Sequence, residues 1–322
     1  MRILVTGCTG FAGGYLVEEL AARSAGTIFG LRRQPEQEPL PEHLAGTLAR
    51  VYTCDLADRA AIETVLREMR PERIFHLAGY ARVGRSFQEP DAAWDANLTA
   101  TRNLYEALLR WGGRPRILFV SSALIYGDAG ADEGPTAEES PLRPVSPYAA
   151  SKAAADLASF QYHRSAKLEI VRVRPFNHIG PRQPLGFAVP DFAHQIAAIE
   201  RGLHPPLLET GDLSARRDLT DVRDMVRAYV ALMDSAQPGA VYNVGSGTTH
   251  AMQAVVDQLL GLARVRIEVR QDARLIRAQD TPALRADASK LRQATGWAPR
   301  IALGQTLTDI LEHWRAAVWR QG

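Results

Sequence analysis

Two cysteines, Cys8 and Cys54, are all that the chain holds. They are too few for a disulfide-stapled scaffold, and at the ends of separate predicted strands they read as reduced packing residues. No apolar run approaches the roughly 20 residues that a membrane helix requires. Met1 leads almost at once into the strand-like Ile3-Leu4-Val5, leaving no room for a signal peptide, so a cytoplasmic location is expected. Net charge is nearly absent, 38 Lys and Arg against 36 Asp and Glu. Such a balance offers no global field for nucleic acid or a membrane surface, and any anion site must come from locally placed arginines. Low-complexity tails, internal repeats and linkers are missing too. His178 has no partners at metal-ligand spacing, so it reads as a hydrogen-bonded loop histidine and no metal is expected.

What is present suits a globular fold. With 322 residues, 46% hydrophobic and 23% charged, the chain can bury a sizeable core and hold a full nucleotide-binding domain plus a smaller lobe. The first half alternates short β-branched runs with helical patterns, as expected for a parallel sheet wound with helices. Strands are predicted at Arg2 to Thr6, Thr27 to Leu31, Leu48 to Thr53, Arg73 to His76, Arg116 to Val120 and Glu169 to Val173. Apolar periodicity predicts helices from about Phe11 to Arg23, Arg59 to Met69, Asp91 to Trp111 and Pro147 to His163. Right-handed crossovers then give an α/β, doubly wound parallel sheet of the Rossmann type. After Arg174 prolines break the pattern, so residues 1–174 are assigned to the dinucleotide-binding domain. Residues 175–218 and 249–322 form a smaller, interleaved substrate lobe. The chain returns to the main sheet at about 219–248, through a helix from Asp221 to Met233 and a strand from Ala240 to Val244.

Strand Arg2 to Thr6 runs directly into Gly7-Cys8-Thr9-Gly10-Phe11-Ala12-Gly13. Glycines at this spacing, after a strand and before a helix, let the backbone approach a pyrophosphate whose charge meets the N–H groups of the helix start. Gly7, Thr9, Gly10, Phe11, Ala12 and Gly13 are therefore expected to bind the cofactor. Where an NAD site places an acid on the ribose, the second strand ends in Leu31-Arg32-Arg33. Two guanidinium groups there suit the 2′-phosphate of NADP, the alternative being solvated surface arginines. Asp55, with Leu56 beside it, is placed to accept from adenine or to cap the following helix. Leu77 and Ala78, just past the fourth strand, complete the expected cofactor set.

Tyr148 and Lys152 lie four apart on one helical face. A free phenol titrates near 10, too high for acid–base work at neutral pH, and a neighbouring ammonium favours the phenolate and lowers that value. Lys152 could do this while holding the cofactor ribose. Alone, such a pair is common on any surface helix. The fifth strand ends in Ser121-Ser122, whose hydroxyls would point into the cofactor crevice at the carboxyl edge of the sheet.

The succession of Gly7, Gly10 and Gly13, then Ser122 before Tyr126-Gly127, then Ser146-Pro147-Tyr148 with Ser151-Lys152, resembles the extended short-chain dehydrogenases of the NAD-dependent epimerase/dehydratase family, which modify nucleotide sugars. The resemblance runs from Met1 to Thr295-Gly296-Trp297-Ala298-Pro299 and the final helix. It implies that Ser122 hydrogen-bonds the reacting oxygen, that Tyr148 is the acid or base and that Lys152 supports it. By the same likeness Asn177, in Arg174 to Pro181, meets the sugar nucleotide; Arg217, in Arg217 to Asp224, grips the diphosphate; and Arg277, three residues before Asp280, gives a second diphosphate and ribose contact. Several of these segments are similar to the family's reductases that turn GDP-4-keto-6-deoxy-D-mannose into GDP-D-rhamnose with NADP(H), NAD(H) being the other cofactor. Alternatives are a 4-epimerase with tightly held NAD, a GDP-mannose 4,6-dehydratase and a nonenzymatic dinucleotide sensor. The dehydratase needs acids directly after the catalytic serine, where this chain has Ala123 and Leu124. The family also implies a homodimer through the helices Asp91 to Trp111 and Pro147 to His163, with Leu98, Leu104 and Leu108 on recurring apolar faces.

Overall fold

A computed structural model describes residues 1–33, 40–127, 134–275 and 284–320. Six parallel strands succeed one another in the first half: β1 (Arg2–Thr6), β2 (Thr27–Arg32), β3 (Arg50–Thr53), β4 (Arg73–His76), β5 (Arg116–Val120) and β6 (Glu169–Pro175). Then come β7 (Asn177–Ile179), β8 (Leu207–Thr210), β9 (Arg216–Asp221), β10 (Val241–Val244), β11 (Thr249–Ala251) and β12 (Glu268–Gln271). The helices are α1 (Phe11–Ala22), α2 (Arg59–Met69), α3 (Pro90–Trp94), α4 (Ala100–Trp111), α5 (Pro147–Ala166), α6 (Ala188–Glu200), α7 (Val222–Ser235), α8 (Met252–Gly261), α9 (Ser289–Thr295) and α10 (Leu303–Arg320). None of them is long and apolar enough to cross a membrane.

The central sheet has the order β10-β6-β5-β4-β1-β2-β3, with every neighbouring pair parallel. Strand order reverses between β1 and β4, which opens a crevice beyond their carboxyl ends. Ile3, Leu4 and Val5 are all fully buried because helices cover both faces of the sheet. Ile3 and Val5 pack with α1 and α7, while Leu4 packs with α2, α4 and α5. A three-stranded sheet, β11-β9-β7, and a pair, β12-β8, stand apart from it beside α6, α8 and α10, which enclose a separate apolar cluster. Cys8 and Cys54 are buried, unbridged thiols whose pKa values burial pushes up to about 11, in keeping with packing roles.

Two expectations need correction. The helix expected from Asp91 to Trp111 is interrupted by a π-helical turn, Asp95–Thr99, between α3 and α4. That widened turn holds the buried Asn97 side chain, which accepts from the Tyr80 N–H at 2.9 Å and donates to Ser151 Oγ at 3.0 Å. Turns of this type recur at functional sites. Secondly, Leu104 and Leu108 are fully buried against α2 and the sheet of their own protomer, so neither can belong to an intermolecular face. The exposed large apolar side chains of these helices are Trp94, Leu157 and Phe160.

The run Arg217 to Asp224 joins β9 and α7 to later segments of the chain. Asp218, fully buried, accepts from the backbone N–H groups of Ser246, Gly247 and Ala286 at 3.0, 2.9 and 3.0 Å. Asp221 caps α7 through the Arg223 N–H and accepts from Thr306 Oγ1. Asp224 receives the Arg300 and Ile301 N–H groups at 2.7 and 2.9 Å. Three carboxylates at three-residue spacing thereby tie β9 and α7 to the C-terminal part of the chain.

Candidate active site

The glycine turn forms one wall of a cleft of about 1480 Å³ that is also lined by residues of β5 to β7, α5 and α6. Gly7 adopts φ +71°, and a Cβ there would stand 2.9 Å from the Ala78 nitrogen. At Gly13 a Cβ would fall 2.0 Å from the Gly7 carbonyl oxygen, so α1 can approach the turn this closely only with glycine at that position. Gly10 is the N-cap of α1 and supplies no side-chain cap, which leaves first-turn N–H groups to face the cleft. An open helix start behind an uncovered glycine cradle fits the pyrophosphate of a dinucleotide. Thr9, Phe11, Ala12, Leu56, Leu77 and Ala78 line the same wall.

Both arginines of the second strand end line the cleft as well. Arg32 is buried at the last position of β2, and Arg33 is exposed just beyond it. Asp55 lines the cleft and accepts from the Ala57 N–H at 2.9 Å. It does not cap α2; Asp58 does, accepting from Ala60 and Ala61 at 3.0 and 3.1 Å.

Tyr148, Lys152 and Ser122 meet at the centre of the cleft. Ser146 caps α5 through the Ala149 N–H at 3.1 Å and Pro147 opens the helix, which fixes Tyr148 in the first turn and Lys152 one turn on. Ser122 lies two residues beyond β5, at the start of the 3-10 turn Ala123–Tyr126, and accepts from the Leu124 N–H at 3.2 Å. Lys152 Nζ donates to the Val120 carbonyl at 3.0 Å, and burial lowers its pKa to about 8 against a counter-pull from Asp156. The phenol of Tyr148 departs from expectation. Its pKa is raised by burial, a hydrogen bond with Ser122 opposes the rise, and Lys152 is not among the groups that shift it. The ammonium is turned to the strand carbonyl rather than to the phenol.

Beneath this centre lie groups that sequence reasoning missed. Asp156, fully buried, continues the Tyr148–Lys152 face by one more turn, a spacing that could have revealed it. It accepts from Arg172 Nη1 at 2.7 Å and from Arg174 Nη2 and Nε at 3.0 and 3.1 Å. Arg174 also donates to the hydroxyl of Tyr126 at 2.8 Å, and that hydroxyl donates to Asn243 Oδ1 at 2.7 Å. Tyr126 is therefore a buried strut. His76 sits between Thr6 Oγ1 at 2.8 Å and Thr101 Oγ1 at 3.0 Å, and burial lowers its pKa to about 3, so it is neutral. Asn97 had no signal of its own, since it falls inside an ordinary helical pattern.

On the substrate side Asn177 is exposed at the start of β7 and Arg217 is half-buried on β9, and both line the cleft. Arg277 and Asp280 lie outside the described residues. His178 stacks on Phe11 with ring centroids 5.9 Å apart, shares a hydrogen bond with the Phe176 carbonyl and has its pKa lowered by burial. It lies in the middle of β7 rather than in the loop expected, packed on the glycine-turn helix. Ala123 and Leu124 line the cleft directly after Ser122 and offer no acid.

This geometry agrees with three similarities across the whole chain. The GDP-6-deoxy-D-mannose reductase of Pseudomonas aeruginosa is 34% identical over 317 residues, covering 98% of both chains. The UDP-glucose 4-epimerase of Mycolicibacterium smegmatis is 32% identical, covering 98% of this chain and 99% of that one. The structure of RMD from Pseudomonas aeruginosa complexed with NADPH superposes with a TM-score of 0.85 at 33% identity, over 98% of this chain and 99% of the other. The family model described as GDP-mannose 4,6 dehydratase matches residues 4–310. A match of that extent means that the chain belongs to the GDP-mannose 4,6 dehydratase family.

Proposed function

We propose that the chain is an NADPH-dependent reductase of a nucleotide-linked 4-keto-6-deoxy sugar, converting GDP-4-keto-6-deoxy-D-mannose to GDP-D-rhamnose. The observation that carries this reading is the meeting of Ser122, Tyr148 and Lys152 in one cleft with Ala123 and Leu124 at the positions where dehydration needs acids. The reductase and the NADPH-bound structure among its relatives support it. The glycine turn would hold the pyrophosphate, Arg32 and Arg33 the 2′-phosphate, with Asp55, Leu56, Leu77 and Ala78 along the cofactor's path. The reduced nicotinamide, when bound, supplies a hydride to the C4 carbonyl.

The protein's own part is positional and acid–base. Tyr148 donates its phenolic proton to the alkoxide that develops at C4, and Ser122, beside that phenol, holds the same oxygen. A phenol kept protonated by burial is in the correct state to act as an acid. Lys152 holds the ribose while one of its N–H groups donates to the Val120 carbonyl. Asn177 and Arg217 take the sugar and diphosphate, and Arg277 gives the second diphosphate and ribose contact that the family resemblance implies. Residues 175–218 and 249–322 serve as the substrate lobe over the dinucleotide half. Dimers would form through α3 and α5, where Trp94, Leu157 and Phe160 are exposed.

The 4-epimerase relative keeps a second reading open, in which the same three residues return the hydride to the other face. One assay separates the two. With a panel of 4-keto-6-deoxy sugar nucleotides, the reductase consumes one NADPH per substrate, whereas an epimerase shows no net oxidation. Tyr148→Phe should keep NADPH affinity yet lose about two to three orders of magnitude in turnover. Near-normal turnover in that variant, or dehydration of GDP-mannose by the wild type, would overturn the proposal.

A further inference from the structure

Tyr229 stands on α7 with no solvent exposure, and its hydroxyl has no hydrogen-bond partner among the described residues. Buried phenols ordinarily find one, because an unmet donor forfeits the hydration it had in the unfolded chain. The ring belongs to the apolar cluster that holds Val5, Leu118, Val171 and Val173, on the α1 and α7 face of the sheet. Yet Tyr229 lines the same cleft as Ser122, Tyr148 and Lys152, two of which are carried by α5 on the opposite face. Its hydroxyl is near enough to Tyr148 for that phenol to add to the rise that burial causes in its pKa. An unsatisfied hydroxyl therefore lies near Tyr148, on a residue that lines the same cleft but comes from the α7 face of the sheet.

We infer that the Tyr229 hydroxyl hydrogen-bonds the carboxamide of a bound nicotinamide from the α7 side of the sheet. The inference rests on the dinucleotide reading of the cleft. With the pyrophosphate on the α1 turn and the 2′-phosphate at the end of β2, the nicotinamide is the part of the cofactor that extends to Tyr148. The sugar enters between the lobes, past Asn177 and Arg217, and Lys152 takes the ribose. What remains for a group reaching up through the sheet is the carboxamide, a planar donor and acceptor that a phenol can meet in either sense. Such a contact fixes the rotation of the ring about its glycosidic bond, and hence which face presents its hydride.

The test compares NADPH with 2′-phospho-ADP-ribose, which carries every part of the cofactor except the nicotinamide. Tyr229→Phe should raise the Kd for NADPH about tenfold, the effect of one lost buried hydrogen bond, and leave the Kd for 2′-phospho-ADP-ribose within about twofold. Without ligand, the variant should melt at or above the wild-type temperature, since it removes an unmet hydroxyl. Tyr105→Phe, which deletes a buried hydroxyl bonded to Ser159 away from the cleft, should change neither Kd. Equal NADPH affinity in Tyr229→Phe and wild type overturns the inference, as does equal weakening of both ligands or a lower ligand-free melting temperature, the mark of a structural water on that hydroxyl. Failure of the wild type to bind NADPH at all would overturn the dinucleotide reading itself, and this inference with it.

Discussion

Replacing Lys152 by methionine should make the ligand-free protein more stable while abolishing turnover. Burial lowers the ammonium from 10.5 to about 8, so between those values the folded protein binds fewer protons than the unfolded chain. Stability contributed by this site therefore rises with pH from about 8 to 10.5, and at neutral pH the charged side chain is a net cost. At about 1.4 kcal/mol per pKa unit, that cost is roughly 3 kcal/mol at pH 7 and falls by more than half by about pH 9.5. Methionine keeps the length of the side chain but loses the hydrogen bond to Val120, worth about 1 kcal/mol. The net gain of about 2 kcal/mol at pH 7 corresponds to roughly 3 °C in a protein of this size. Thermal melts of both proteins at pH 7 and 9.5, without cofactor, read the difference. The gap should shrink or reverse at the higher pH. A variant that melts below wild type at pH 7, or a gap independent of pH, would refute the reasoning.

Arg32→Ala or Arg33→Ala should narrow the preference for NADPH over NADH by about tenfold or more, since a charge-assisted phosphate contact contributes about 1.5 to 3 kcal/mol; titration with both cofactors measures it. A wild type that binds both alike would refute the assignment of that strand end. Asp156→Asn leaves Arg172 and Arg174 facing a neutral partner in the interior, so denaturant unfolding should show a loss of about 3 kcal/mol or more. Leu157→Arg, on the exposed face of α5, should convert dimers to monomers in sedimentation without changing the melt of the protomer; a wild type that is monomeric at micromolar concentration would refute the interface.

Short-range rules made the frame readable. β1, β4, β5 and α2 fall at the expected residues because each is a local run of apolar residues bounded by turn signals, and the dinucleotide turn is a contiguous pattern of glycines. Tyr148 and Lys152 were legible for the same reason, one helical turn apart behind a Ser-Pro start. The faces of α4 were not. Periodicity marked Leu104 and Leu108 as apolar but could not say whether a neighbouring subunit or the protein's own sheet would cover them. A local pattern likewise placed Asp55 beside a helix start, but backbone geometry gave the cap to Asp58.

By itself, then, the sequence determined the order of the elements, the parallel sheet and the residues with chemistry to offer, since these depend on spacings of a few residues. Tertiary structure decided what each side chain meets. Lys152 is buried and finds the Val120 carbonyl, and it is not among the groups that shift the Tyr148 pKa; Asp156 finds two arginines from β6; Asn97 finds Ser151 through a π-helical turn; and Tyr229 reaches the cleft from the far face of the sheet. Desolvation and long-range pairing set these outcomes. Both depend on which distant segments the packing brings together, which spacing along the chain does not record.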